Sequence, residues 1–154
     1  MTHVIGSCKG CWAWGDFLTN LLASGSVLLL LDQWSKRIAL MLSRGRAPHR
    51  TRLPCIHLVK NKNPLYRSEK VRIAMTVAFV FAAVSTVALH SSGRWFQSRL
   101  SLVGLGLALG GGAGNLLDIW QHESVLDFID FRWWPAFNLA DLGIVGGLLL
   151  AFWY

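Results

Sequence analysis

Four apolar stretches punctuate the chain, separated by one long polar segment and two shorter breaks. They run from about 18 to 41, 71 to 89, 100 to 117 and 137 to 154. Each approaches the ~20 residues that a helix needs to cross the hydrocarbon core of a bilayer. The pattern predicts an all-α integral membrane protein: a four-transmembrane-helix bundle, with residues 1–154 as a single membrane domain. The first stretch has the look of a signal-peptide core over 17–31. However, no small-residue cleavage site follows, and the helical pattern continues through Asp32 and Lys36 to Leu42. Four crossings put both termini on one side, and the connections after the first and third spans share the other.

Residues 43–72 form the longest polar segment. Leu53-Pro54 and Asn63-Pro64 interrupt helix there. Between them Cys55-Ile-His-Leu-Val-Lys60 alternates loosely, as a strand does. A small surface β/loop element is therefore expected between spans 1 and 2. Residues before 17 read as a short cytoplasmic or interfacial lead, with Trp12 and Trp14 suited to headgroup depth. Arg94, Trp95 and Arg99 anchor a short turn between spans 2 and 3. The third span carries Gly104, Gly106, Ala108, Gly110, Gly111, Gly112 and Gly114, a spacing that lets helices approach closely. Packing accounts for most of them; close approach of backbone to a substrate is an added reading for 110–114.

Composition agrees with the pattern. Hydrophobic residues make up 53% and charged residues 15%, below the quarter usual in soluble domains. The net charge is +7, and nine of the fifteen Lys/Arg lie between Arg44 and Arg72. Flanked by apolar spans, that loop suits anionic lipid headgroups rather than nucleic acid. A membrane-protein partner is a second use for it. The three cysteines, Cys8, Cys11 and Cys55, are an odd count, and Cys8-Lys-Gly-Cys11 has no second pair to complete a zinc site. No metal or other cofactor is expected.

Acidic residues change the picture most. Five of the eight fall between Asp118 and Asp141, on a predicted loop after span 3 (Asp118, Glu123, Asp127, Asp130) and in the first turns of span 4. Glu123 and Asp130 read as solvated loop residues. Asp32 and Lys36, spaced i, i+4, share a helix face, either as a structural ion pair or as support for a polar site built by other helices. Asp127 and Asp141 flank Trp134-Pro135, which would turn the chain and bring their carboxyls together. Two close carboxylates share a proton; one can activate water while the other donates to a carbonyl oxygen. That chemistry hydrolyses amides without metal or serine. Asn115 and Asn138 are placed to orient it. His122 stands alone, no nucleophile motif is present, and a proton or ion relay is disfavoured because the acids collect at one edge.

The motifs resemble those of lipoprotein signal peptidases. Asp32-Gln-Trp-Ser-Lys36 is similar to that family's D-Q-x-x-K. Gly110-Gly-Gly-Ala-Gly-Asn-Leu-Leu-Asp118 resembles its glycine-asparagine-aspartate motif. Val125-Leu-Asp-Phe-Ile-Asp130 and Pro135-Ala-Phe-Asn-Leu-Ala-Asp141 are similar to the other two. The resemblance implies a membrane aspartic endopeptidase of the bacterial inner membrane, cutting a prolipoprotein just before its diacylglyceryl-modified cysteine. It implies catalytic Asp127 and Asp141, supported by Asp32, Lys36, Asn61, Gly111, Asn115, Asp118, Asn138 and Ala140. It also implies an active site at the periplasmic or extracellular face, whereas the positive-inside rule would put the basic loop in the cytoplasm. The sequence departs from the pattern in three places, one of them a short gap between Asp127 and Asp141. Ile119 stands where the family has arginine, and Asn61-Lys-Asn-Pro64 lacks the family's glycine and aromatic. Those departures leave a second reading: a non-catalytic membrane binding or assembly subunit on the same fold.

Overall fold

The computed structural model describes residues 9–43, 56–61, 64–131 and 133–153. Cys8, Cys55 and, in the basic segment, residues 44–55 and 62–63 lie outside the described residues. Four helices dominate: α1 (Lys9–Ser43), α2 (Glu69–Ser91), α3 (Arg99–His122) and α4 (Leu139–Ala151). Strands β1 (Ile56–Asn61) and β2 (Val125–Ile129) and a 3₁₀ turn (Pro64–Arg67) complete the described elements.

Among the described residues, three helices are long and apolar enough to cross a membrane, at Trp14–Leu42, Glu69–Ser91 and Arg99–His122. Together they make a mostly helical, multi-pass membrane protein. The fourth, Leu139–Ala151, is shorter. Its 13 residues extend about 20 Å at 1.5 Å per residue, against ~30 Å of hydrocarbon.

Several boundaries differ from the sequence reading. Helix α1 starts at Lys9, inside the predicted interfacial lead, because no proline interrupts 9–43. Helix α3 runs through Asp118 to His122, so Asp118 is a helix residue and not a loop residue. Glu123, in the left-handed region at φ +50°, stops it. Helix α4 begins at Leu139, after an asparagine cap at Asn138, rather than among the aromatic residues before it.

Strands β1 and β2 pair antiparallel, with Val59 opposite Asp127 and Asn61 opposite Val125, and a bulge between Ile56 and Val59. This pairing joins the connection after α1 to the connection after α3. The sheet therefore sits where α1 and α3 finish and α2 and α4 begin. At the opposite end, Phe17, Leu21, Phe96, Leu102, Leu105 and Ala151 form the apolar core cluster.

Helix α3 is central, packed tightly on α1 and on α4. A Cβ on Gly104 would lie 2.5 Å from the Gly147 carbonyl oxygen of α4, and one on Gly25 would lie 2.9 Å from that of Gly106. Each residue of the dense 110–114 glycine group likewise faces another helix: Gly110 meets Gly25, Gly111 the Ala140 carbonyl, Gly112 the ring of Phe79 and Gly114 the Asp32 carboxylate. Packing between helices explains them, without a substrate. Helix α2 is the loosest element: only Thr86 and His90 are buried, while Val77, Phe81 and Val84 are exposed.

Candidate active site

Polar side chains from α1, α3, β2 and the start of α4 meet at the sheet end of the bundle. Helix spacing explains the α3 contribution. Gly111, Asn115 and Asp118 fall at i, i+4 and i+7, one stripe of the helix. The small residue at Gly111 admits the backbone of Ala140, which carries the first turn of α4 up against Asn115.

Asp32 and Lys36 form the base. Lys36 Nζ lies 2.7 Å from Asp32 Oδ2 and 2.7 Å from Asp118 Oδ2, all three residues being buried. Burying an unpaired charge costs several kcal/mol even after relaxation. One lysine between two carboxylates reduces that cost for all three, and hydrogen bonds complete the shell. Gln33 Nε2 donates toward Asp32 Oδ2 (3.3 Å) and Asp118 Oδ1 (3.2 Å). Asp32 Oδ1 accepts from the backbone N–H of Ala140 at 3.0 Å. Asp32 thus reaches across the bundle to fix the start of α4, and the Ala140 backbone, also packed on Gly111, enters the site through this bond.

Asn115 joins this base to the second half. Its Oδ1 accepts from Lys36 Nζ (3.3 Å) and Asn138 Nδ2 (3.1 Å), and its Nδ2 donates to Asp141 Oδ1 at 2.8 Å. Asn138 is the pivot. Its Oδ1 accepts from the Asp141 backbone N–H (3.0 Å), and Asp141 Oδ2 accepts from the Asn138 backbone N–H (3.1 Å). This reciprocal capping box satisfies donors at the start of α4. The side-chain amide of Asn138, which gives one hydrogen to Asn115, gives the other to Asp127, whose Oδ1 accepts at 3.0 Å. One residue therefore bonds both carboxylates. Asp127 is buried on β2; Asp141 is half-buried at the third position of α4.

Most residues singled out in the sequence meet here: Asp32, Lys36, Gly111, Asn115, Asp118, Asp127, Asn138, Ala140 and Asp141. Asn61 reaches the site's strand pair through its backbone, opposite Val125; its side chain lies outside the described residues. Glu123 is outside the network and pairs with Arg72 at 3.3 Å. Ile119 is buried, 1% exposed, in the protein interior. Gln33 was missed. It sits beside Asp32 in a motif already marked, and an amide next to a buried aspartate was the available signal.

Comparison with known proteins agrees with this geometry. The family model described as signal peptidase (SPase) II matches residues 25–154. The lipoprotein signal peptidase of Pelotomaculum thermopropionicum is 34% identical over 137 residues, covering 83% of this chain and 86% of that protein. The one from Polynucleobacter necessarius is 33% identical over 147 residues, covering 88% of each. A solved bacterial membrane enzyme superposes with a TM-score of 0.60 over 87% of this chain and 90% of its own, at 22% identity, and so shares the fold. These matches do not favour the non-catalytic subunit. A buried lysine–carboxylate base, an asparagine bonded to two aspartates and near full-length similarity to named peptidases converge: the chain belongs to the signal peptidase II family, membrane peptidases of the aspartic type.

Proposed function

We propose that Asp127 and Asp141 are the catalytic pair, and that the substrate is a prolipoprotein cut just before a diacylglyceryl-modified cysteine. The observation that carries the pairing is the double role of Asn138, within 3.0 Å of Asp127 Oδ1 and 3.1 Å of Asp141 Oδ2. A water between the carboxyls gives its proton to the ionised member while its oxygen attacks the scissile carbonyl carbon. The protonated member donates to the carbonyl oxygen. Collapse of the tetrahedral diol then breaks the C–N bond, and the leaving nitrogen takes a proton back. Asn115 and Asn138 hold the carboxyls in register; Asp32, Lys36 and Asp118 hold those asparagines and the first turn of α4.

The substrate class rests on the family resemblance and on position. The pair lies at the helix ends beside Trp133 and Trp134, 80% and 58% exposed, a pattern suited to an interface where a lipidated cysteine would lie. In this reading α4 is the fourth crossing, with its first turn at headgroup depth, and the β1–β2 pair lies on the membrane surface. The protein sits in the bacterial inner membrane with the pair on the outer face, and the basic loop rests on anionic headgroups.

Purified full-length protein mixed with a synthetic diacylglyceryl-modified precursor should release the signal peptide, with the new N-terminus at the lipidated cysteine by mass spectrometry. An intact precursor would contradict the reading. Orientation is tested by Ser68→Cys and a membrane-impermeant thiol reagent on intact cells. Labelling supports the outer placement, and protection there overturns it.

A further inference from the structure

The outer face of α1 carries a groove of about 320 Å³ lined by Leu30, Leu31, Gln33, Trp34 and Arg37, and of these only Gln33 also reaches the polar network of the peptidase site. The volume is at the lower end of small-ligand sites, ~300–1,000 Å³. Leu30, Trp34 and Arg37 fall at i, i+4 and i+7, so they stack along one helix face. That order is apolar, then indole, then cation, running toward the sheet end of the bundle. Leu30 is 69% and Trp34 64% exposed. Arg37 is exposed, and among the described residues no hydrogen bond or ion pair engages it. Lys36, one position earlier, turns inward and is consumed by Asp32 and Asp118. Neighbouring lysine and arginine thus have opposite fates, one neutralised in the core and one left for the surroundings.

We infer that this groove binds one anionic phospholipid, its acyl chain along Leu30 and Leu31, its glycerol region against Trp34 and its phosphate on Arg37. Three features fit that occupant. The groove lies on a span whose surroundings are lipid. A guanidinium forks onto two phosphate oxygens more specifically than an ammonium does. The carboxylates that Gln33 bonds, Asp32 and Asp118, are buried and already paired with Lys36, so they do not repel a headgroup. A neutral diacylglycerol would leave Arg37 without a counter-ion.

The test uses the full chain in phosphatidylcholine nanodiscs doped with brominated lipid, which quenches indoles in contact with the acyl chain. The difference between wild type and Trp34→Phe isolates the Trp34 emission. Brominated phosphatidylglycerol should reach half-maximal quenching of that component at a mole fraction about fivefold lower than brominated phosphatidylcholine, the factor one interfacial cation contributes. Arg37→Gln should abolish the preference, and Arg37→Lys should keep part of it. Equal quenching by the two phospholipids, a preference that survives Arg37→Gln, or brominated diacylglycerol matching phosphatidylglycerol would each overturn the assignment. None of these readouts depends on cleavage, so the groove and the peptidase reading stand or fall separately.

Discussion

At the sheet end of the bundle, buried polar side chains satisfy one another across helices; at the opposite end, a buried histidine satisfies its own turn. Lys36, Gln33 and Asp32 find partners 79 to 108 positions away in the chain. His90 instead bonds the Phe96 carbonyl, six positions on, at 3.0 Å, and stacks on Phe17 with centroids 4.1 Å apart. Both ends bury polar atoms in an apolar bundle. Only at the sheet end does each polar group depend on several elements being in place at once. A local polar contact shapes a turn. A network assembled from α1, α3, β2 and α4 holds reactive groups, and its members cannot be removed one at a time without stranding charge.

The contrast predicts unequal costs. Lys36→Met should be the most damaging of the supporting changes, because it leaves Asp32 and Asp118 buried without a cation. A loss of about 3–5 kcal/mol is expected for removing one partner of a buried pair. Thermal unfolding in detergent reads it, and adding Asp118→Asn to the lysine variant should recover part of the loss. Asn138→Ala should cost less in stability, about 2–3 kcal/mol, because the N-cap is lost and the buried Asp127 oxygen loses its donor while the lysine–carboxylate pairing stays. It should nevertheless reduce cleavage at least tenfold, since both carboxyls lose a shared donor. His90→Phe should cost least: the ring stack on Phe17 survives, one hydrogen bond goes at about 1 kcal/mol or less, and cleavage stays within twofold. A His90 variant that lost cleavage as fully as Asn138→Ala would erase the distinction between the two ends.

The helices were legible because apolar run length is a local property, and the alternation near Cys55 marked β1. Its partner was not legible. Val-Leu-Asp-Phe-Ile is apolar on both faces, so period two is hidden, and only the pairing with β1 makes it a strand. The end of α3 was misjudged for a related reason. Asp118 looks like a terminator after Leu117, yet Lys36 from another helix lets it stay inside. Likewise the fourth stretch reads as apolar from Phe137, but the asparagine cap delays the helix to Leu139. The motif residues were recognisable one by one. That Asn138 would bond both Asp127 and Asp141 could not be read from spacing, because it depends on where β2 lies relative to α4.

The central claim is that the two aspartates act as one unit on water. It is tested by single-turnover cleavage of the lipidated precursor with Asp127→Asn, Asp141→Asn and the double variant, each verified as folded by its unfolding temperature. Each single change should lower the rate by about a thousandfold or more, within the range of positioned acid–base groups. The double variant should fall no further, as residues that work together do. A single variant that kept a tenth of the wild-type rate, or losses that multiplied in the double variant, would contradict the account.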